Sequence, residues 1–233
     1  QMVCQDGFFV SHITTDVELP DTGQVKEFLP PYKHPYPLDP RHPVSHGPQI
    51  MPEQGPPLQL ERARAMEGAF PVIEQAHQEF AQIFGRKYDP WLEEFMTDGA
   101  EVVFFLQGAH AVTARYAIRH MRERGAKVGM VRMRTIRPYP TDRIKDVLSK
   151  FKVVGVIETN MSLGSVSSGG VLYGEVCAAL YEAATRPHVM SIMAGMGGEA
   201  IVLKEFYWMT QKMLDVQKRG GIEKRTHWVG FEE

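Results

Sequence analysis

From Glu101 onward short apolar runs alternate with amphipathic stretches, and that alternation limits the fold more than any other feature of the chain. Residues 102–106 are a continuous apolar run of strand length, and 128–133, 153–157 and 189–193 read as three further strands. Between and after them, residues 111–124, 141–151, 170–184 and 201–218 carry helix-like patterns; Gly125 ends the first and Thr141 is the expected N-cap of the second. Largely apolar strands separated by helices predict an α/β domain over 99–218, with a mostly parallel sheet and helices on both faces. Right-handed crossovers follow from strand twist. Residues 219–233 are left as a C-terminal tail.

The first hundred residues are of different material. Residues 1–19 read as one strand and its exit. Residues 20–57 hold eleven of the sixteen prolines, each fixing φ and removing a donor. Neither helix nor central strand is expected there. Tyr32, His34, Tyr36, His42 and His46 suggest an adhering connector. In 58–98, Leu60, Ala63, Met66, Phe70, Ile73, Ala76, Phe80 and Ile83 recur at three and four, a helix period. Pro71 is expected to kink this helix or start a new one, and Gly85 to cap it. Pro90 is expected to open a second short helix through Phe95, before a turn at Asp98-Gly99.

The chain of 233 residues has a formal charge of -2 with mixed signs, so it lacks the clustered basic face of a nucleic-acid binder. No apolar run approaches the roughly 20 residues of a membrane span, and residues 1–7 lack the pattern of a signal peptide. The Gln1 start, running directly into Phe8-Phe9-Val10, reads as a beginning inside a domain. Two cysteines, Cys4 and Cys177, are too few for an iron–sulfur site within the chain. Both are expected to be small hydrophobes in apolar settings, and low cysteine use fits a reducing compartment, the cytoplasm.

Four strand-end segments are candidates for function. Gln107-Gly108-Ala109-His110 occupies a strand-to-helix turn where ligands sit in doubly wound sheets, but a plain tight turn explains it, and no carboxylate close in sequence partners His110. Arg132, Arg134 and Arg137 follow a strand; Arg132 and Arg134 point the same way and suit either an oxyanion or acids of a neighbouring domain, the interface being favoured. Residues 158–170, rich in Gly and Ser, enter a helix whose amides suit an anion, yet no phosphate-loop lysine is present. A subunit contact is favoured there too. In residues 194–199 three glycines precede Glu199, whose place near a helix start suits the macrodipole. His42 and His46 are separated by Pro43 and make no metal pair. No self-contained catalytic set emerges.

Several stretches resemble one family. Residues 6–12 (Asp-Gly-Phe-Phe-Val-Ser-His) resemble the D-G-F-x-x-S-H signature closing the first domain of pyruvate- and 2-oxoacid:ferredoxin oxidoreductases. Residues 42–47 resemble the H-P-V-x-x-G of the following connector. Residues 125–140 resemble the G-x-K-V-G-x-x-x-x-R-x-x-R-P-[FY] core of the second domain, which is like a transketolase C-terminal domain. Residues 25–33, 83–90 and 194–199 make the alpha subunit of the oxalate oxidoreductases the nearest in look, because Glu199-Ala200 stands where pyruvate enzymes tend to carry Arg-Asp.

The resemblance implies that residues 1–19 end a thiamine-pyrimidine-binding domain. It implies oxidation of a 2-oxoacid, here oxalate to CO2, with electrons passed to ferredoxin. Thiamine diphosphate, Mg2+ and [4Fe-4S] clusters would serve the whole complex, none bound by this segment alone. The partners would be a thiamine-diphosphate-binding beta subunit, iron–sulfur gamma and delta subunits, and ferredoxin, with neither nucleic acid nor membrane. No residue here is carried over as catalytic. Asp6, His12, Arg134, Arg137, Gly164, Gly197 and Glu199 are the expected active-site border or subunit interface.

Overall fold

The computed structural model describes residues 2–47, 49–166 and 168–231, and the chain forms two compact units, 1–15 with 91–233 and 16–90. Gln1 of the first segment, Pro48 of the connector, Ser167 of the loop 158–170, and Glu232 and Glu233 of the tail lie outside the described residues.

The larger unit is built on a six-stranded sheet in the order β1-β3-β2-β4-β5-β6. β2 (Val102–Gln107), β3 (Val128–Met133), β4 (Val153–Glu158), β5 (His188–Met193) and β6 (Thr226–Trp228) are parallel; β1 (Leu92–Phe95) runs antiparallel on the edge beside β3. α3 (His110–Glu123) and α6 (Leu203–Arg219) pack together, as do α4 (Thr141–Leu148) and α5 (Val171–Leu180). The two pairs cover opposite faces, the expected mostly parallel α/β arrangement.

The sheet alternation decides which side chains meet which helices. Val102, Phe104 and Leu106 of β2, Met130 of β3 and Ile192 of β5 join Ile118 of α3 and Phe206, Met209 and Met213 of α6 in one core. Phe104 meets Phe206 edge-on at 5.5 Å between centroids. On this same face, past the core, lie Arg132 and Arg134. Gln107 and Glu158 alternate to the α4–α5 face.

Four expectations in this unit are corrected. Residues 90–95 are not helical: Leu92–Phe95 pair with β3 in the register Glu93↔Arg132, and sheet pairing overrides the helix-start signal of Pro90. Its exit is tight, since a Cβ on Gly129 would stand 2.7 Å from the Met96 carbonyl oxygen. Residues 2–15 contain no strand; 7–12 are turns, with Phe8 at φ 63°. Thr141 is the first helical residue rather than the cap, which is Pro140. Strand β6 lies in the segment expected to be a tail.

In the smaller unit α1 (Thr22–Phe28) forms between Pro20 and Pro30, where no helix was expected, with the Asp21 carboxylate accepting from Gly23 N at 2.7 Å. Capping and a proline-free stretch of seven residues suffice for it. α2 (Gly55–Phe84) begins three residues before the expected start, because Pro56 and Pro57 fit a first turn that leaves amides unused. It continues through Pro71 as one helix and ends at Gly85, as expected, at φ 68°. Phe28 packs edge-on against Phe80 and Phe84 at 5.6 and 5.7 Å, and Gln24 Nε2 donates to the Ile83 carbonyl at 2.7 Å. Neither helix buries a residue, and Leu60, Met66 and Val72 stay exposed.

Candidate functional site

The carboxyl ends of β2, β4 and β5 bring three of the four sequence candidates to one edge of the sheet. In an open α/β sheet this edge, at the β2–β4 boundary where the connections change direction, is where ligands bind. Gly108 has φ 76°, which lets the chain turn sharply from β2 into α3. The N-cap residue of α3, Ala109, has no capping side chain of its own. Its amide instead donates to Asp6 Oδ2 at 2.7 Å, across 103 residues of sequence. A carboxylate is thereby placed at the positive end of α3.

Phe9 of the same turn packs edge-on against the His110 ring at 5.0 Å. His110 is 7% exposed, and a Cβ on Gly195 would stand 3.2 Å from its Nε2. The imidazole therefore spans from the β2–α3 turn to the β5–α6 loop. Burial lowers its pKa below the usual 6.5, opposed by the charge of Asp6. A buried neutral histidine gives acid lability: as pH falls below about 6.5 the unfolded chain takes up the proton first, so stability drops and levels off below the folded-state pKa. The His110→Asn variant should flatten this decline in urea midpoints measured from pH 8 to 5. A profile parallel to wild type would remove His110 from the acid response.

The second constellation lies on the α3 face at the β1 edge. Glu93 is the shared acid for three arginines: Arg115 in direct contact, Arg134 at 2.8 Å and Arg132 at 3.6 Å. Arg115 and Arg119, one helical turn apart, both lie over the Phe95 ring, at 5.3 and 5.4 Å. Desolvation and neighbouring guanidinium charges lower the pKa of Arg115 and of Arg132, which Asp6 partly offsets for Arg132.

The third lies on the opposite face. Glu158, 4% exposed at the end of β4, accepts from Leu172 N at 2.7 Å and Tyr173 N at 2.9 Å. The anion suited to the amides at the start of α5 is thus the chain's own carboxylate. Burial raises the Glu158 pKa, and the two backbone donors oppose it. Arg137 forks onto Glu175 and lies over the Tyr139 ring at 5.7 Å.

Of the remaining expected positions, His12 is exposed, its Nδ1 2.7 Å from Ser11 Oγ and its ring 4.9 Å from Phe8. Gly164 has φ 74° in a loop whose Leu163 and Val166 are among the most exposed apolar residues. Gly197 has φ 72° within a 3-10 turn, Met196–Gly198. Glu199 follows in extended backbone, outside any helix; the acid in the first turn of α6 is Glu205, whose carboxylate accepts from Val202 N at 2.7 Å. Cys4 is exposed, against the expected apolar setting, because the segment that carries it folds into no strand; Cys177 is half-buried and burial raises its thiol pKa. Sequence reasoning missed Glu93 and Arg115. The signal available was Arg115 and Arg119 at helical spacing opposite the alternating Arg132 and Arg134.

Among the described residues no group of three or more His, Cys, Asp or Glu could hold a metal ion, and two cysteines do not make a four-cysteine cluster site. No helix among the described residues is long and apolar enough to cross a membrane.

Comparison with known proteins agrees with the motif resemblance. Residues 100–206 match the family model "Pyruvate:ferredoxin oxidoreductase core domain II", and residues 1–78 match "Pyruvate flavodoxin/ferredoxin oxidoreductase, thiamine diP-bdg". Over the whole chain 34% of residues are identical to pyruvate synthase subunit PorA of Pyrococcus abyssi, of which 58% is covered. The chain belongs to the 2-oxoacid:ferredoxin oxidoreductase family. PorA of Methanothermobacter thermautotrophicus is 31% identical over the whole chain, with 57% of that protein covered. Ketoisovalerate oxidoreductase subunit VorA of Pyrococcus abyssi is 30% identical over 97% of the chain, again with 57% covered. The chain thus spans less than two thirds of the length of these relatives. A solved 2-oxoglutarate:ferredoxin oxidoreductase from Magnetococcus marinus is similar over 73% of the chain and 24% of its own, with TM-score 0.43 and 15% identity. A split-gene transketolase is similar over 57% and 44%, with TM-score 0.43 and 17% identity.

Proposed function

We propose that this chain is part of a subunit of a thiamine-diphosphate-dependent 2-oxoacid:ferredoxin oxidoreductase whose substrate is pyruvate. The observation that carries this reading is the 34% identity, over the entire chain, to a pyruvate synthase subunit. It favours pyruvate over the oxalate suggested by Glu199-Ala200, and a branched 2-oxoacid is the nearest alternative, given the VorA similarity.

In this reading the chain shapes and borders the active site rather than performing the chemistry. Thiamine diphosphate, Mg2+ and [4Fe-4S] clusters would be held elsewhere in the complex, with electrons leaving to ferredoxin in the cytoplasm. Other subunits would cover the apolar side chains left outside the sheet unit's core: Phe8, Val10 and Ile13 beside the Asp6 turn, and Leu163 and Val166 around Gly164. Asp6, His12, Arg134, Arg137, Gly164, Gly197 and Glu199 remain the proposed border or interface positions. Exposed apolar side chains grouped beside the Asp6 turn and on the loop after β4 support that role.

The test is methyl-viologen reduction by the assembled complex containing this chain, with pyruvate, 2-ketoisovalerate and oxalate compared. Pyruvate should give the highest kcat/KM, and this chain alone should give no turnover. Turnover with oxalate alone would return the reading to an oxalate enzyme. Turnover by the isolated chain would overturn its role as a non-catalytic portion.

A further inference from the structure

Four arginines gather around one carboxylate, Glu93. Arg115 and Arg119 come from α3, Arg132 from β3 and Arg134 from just past its end, and Glu93 from β1. Three independently placed elements thus converge on one point, so the grouping is not a run of basic residues along one solvated helix face. Arg115, Arg132 and Arg134 each make an ion pair to the same carboxylate. Arg119 adds a fourth guanidinium, stacked with Arg115 on Phe95. Such a pair of like charges one turn apart is unfavourable for the helix itself. Arg132 Nε is buried and, among the described residues, has no hydrogen-bond partner.

We infer that this cluster is a binding site for a small phosphate-bearing anion, with Glu93 holding the guanidinium groups in place. Phosphate fits better than a second carboxylate, because planar forks from several directions match a tetrahedral oxyanion of higher charge. A small ligand fits better than an acidic protein surface, because the groups are recessed: the side chains of Arg115, Arg132 and Arg134 are 38%, 34% and 29% exposed. A flat partner would reach Arg119 at the rim but not all three. The inference rests on the fold of the sheet unit and is independent of which 2-oxoacid is oxidised.

The experiment is isothermal titration of the full chain with inorganic phosphate, pyrophosphate and adenosine monophosphate, at constant ionic strength set with chloride. Pyrophosphate should bind more tightly than phosphate, and Arg115→Gln or Arg134→Gln should weaken it by about tenfold or more. Arg186→Gln, outside the cluster, should leave it unchanged. Glu93→Gln should tighten binding, because the internal competitor for the guanidinium groups is removed. A network with only a structural role would show no such gain. If Glu93→Gln fails to fold by circular dichroism, the arginine variants decide alone. Tighter adenosine monophosphate binding identifies an organic phosphate as the ligand; equal binding of phosphate and adenosine monophosphate identifies the phosphoryl group alone, and either supports the site. Absence of binding at millimolar anion, binding indifferent to the arginine substitutions, or arginine variants that lose only co-purifying subunits would each overturn it.

Discussion

Gly170→Ala should destabilise the sheet unit by about 3 kcal/mol, far more than a glycine-to-alanine change at an ordinary φ normally costs. Gly170 sits at φ -81°, so its backbone asks for no glycine. The constraint is steric: a Cβ there would fall 2.2 Å from both Cδ and Oε2 of Glu158. Glu158 has no room to yield, being 4% exposed and tied to Leu172 N and Tyr173 N. The substitution therefore expels the carboxylate, leaving two amides of α5 without their acceptor and a charge in a desolvated place. Each orphaned buried group costs about 1–3 kcal/mol. Glu158→Ala removes the cap without a clash and should cost about 2 kcal/mol. The double variant should be no less stable than Glu158→Ala alone, because nothing remains for the new methyl to displace. Urea denaturation of the four proteins, with hydrogen exchange at Leu172 and Tyr173, checks this. A Gly170→Ala cost within about 0.5 kcal/mol would show that the carboxylate is not the anchor of α5.

That cap also shows where the sequence was legible and where it was not. Four of the five parallel strands were readable because a strand buried on both faces reads as a short, largely apolar run, interrupted only by Arg132 in β3 and Ser191 in β5. The four helices between and after them followed from period and from Gly125 as terminator of the first. β6 was not readable: Thr226–Trp228 is three residues long, and its pairing with β5 leaves no pattern. β1 was misread because Pro90 gives a true local signal, whereas the pairing of Glu93 with Arg132 is decided 39 residues away. The candidate site divides the same way. Gly108, Arg134 and the loop entering α5 were marked by residue type and place. That Glu158 fills the anion site of its own loop, or that Asp6 caps α3, depends on contacts with no trace in spacing.

The placement of these contacts bears on the proposed role. Asp6 and Glu158 do the same work on opposite faces: each puts a carboxylate at the start of a helix that follows a sheet strand, α3 or α5. The helix starts that line the carboxyl edge are occupied by internal acids, and the arginines gather at the β1 edge, around Glu93. A chain so arranged fits the proposed border role for its crevice and the proposed anion site for its arginine cluster, with the catalytic centre supplied by other parts of a complex.

Gly108→Ala should release the turn of residues 7–12 more completely than any change within the turn. At φ 76° an alanine costs about 1–2 kcal/mol in backbone strain. Its Cβ would also stand 2.6 Å from Asp6 Oδ2, so the carboxylate must leave Ala109 N. A hydrogen bond to a charged group contributes about 1.5–3 kcal/mol. Asp6→Ala loses that bond and keeps the relaxed turn, so it should be the milder variant. Phe8 and Val10 are exposed, and the Phe9 contact with His110 is a second attachment of the turn. Limited proteolysis of the full chain should cut within residues 6–12 about tenfold faster for Asp6→Ala, and faster still for Gly108→Ala, since about 1.4 kcal/mol shifts the detached population tenfold. His110, losing the cover of Phe9, should at the same time titrate nearer its ordinary value. Carried into the assembled complex, the two variants should lower viologen reduction in the same order as they loosen the turn, although neither residue is proposed to touch substrate. Equal turnover in wild type and both variants, with the turn demonstrably loosened, would separate residues 6–12 from the active-site border.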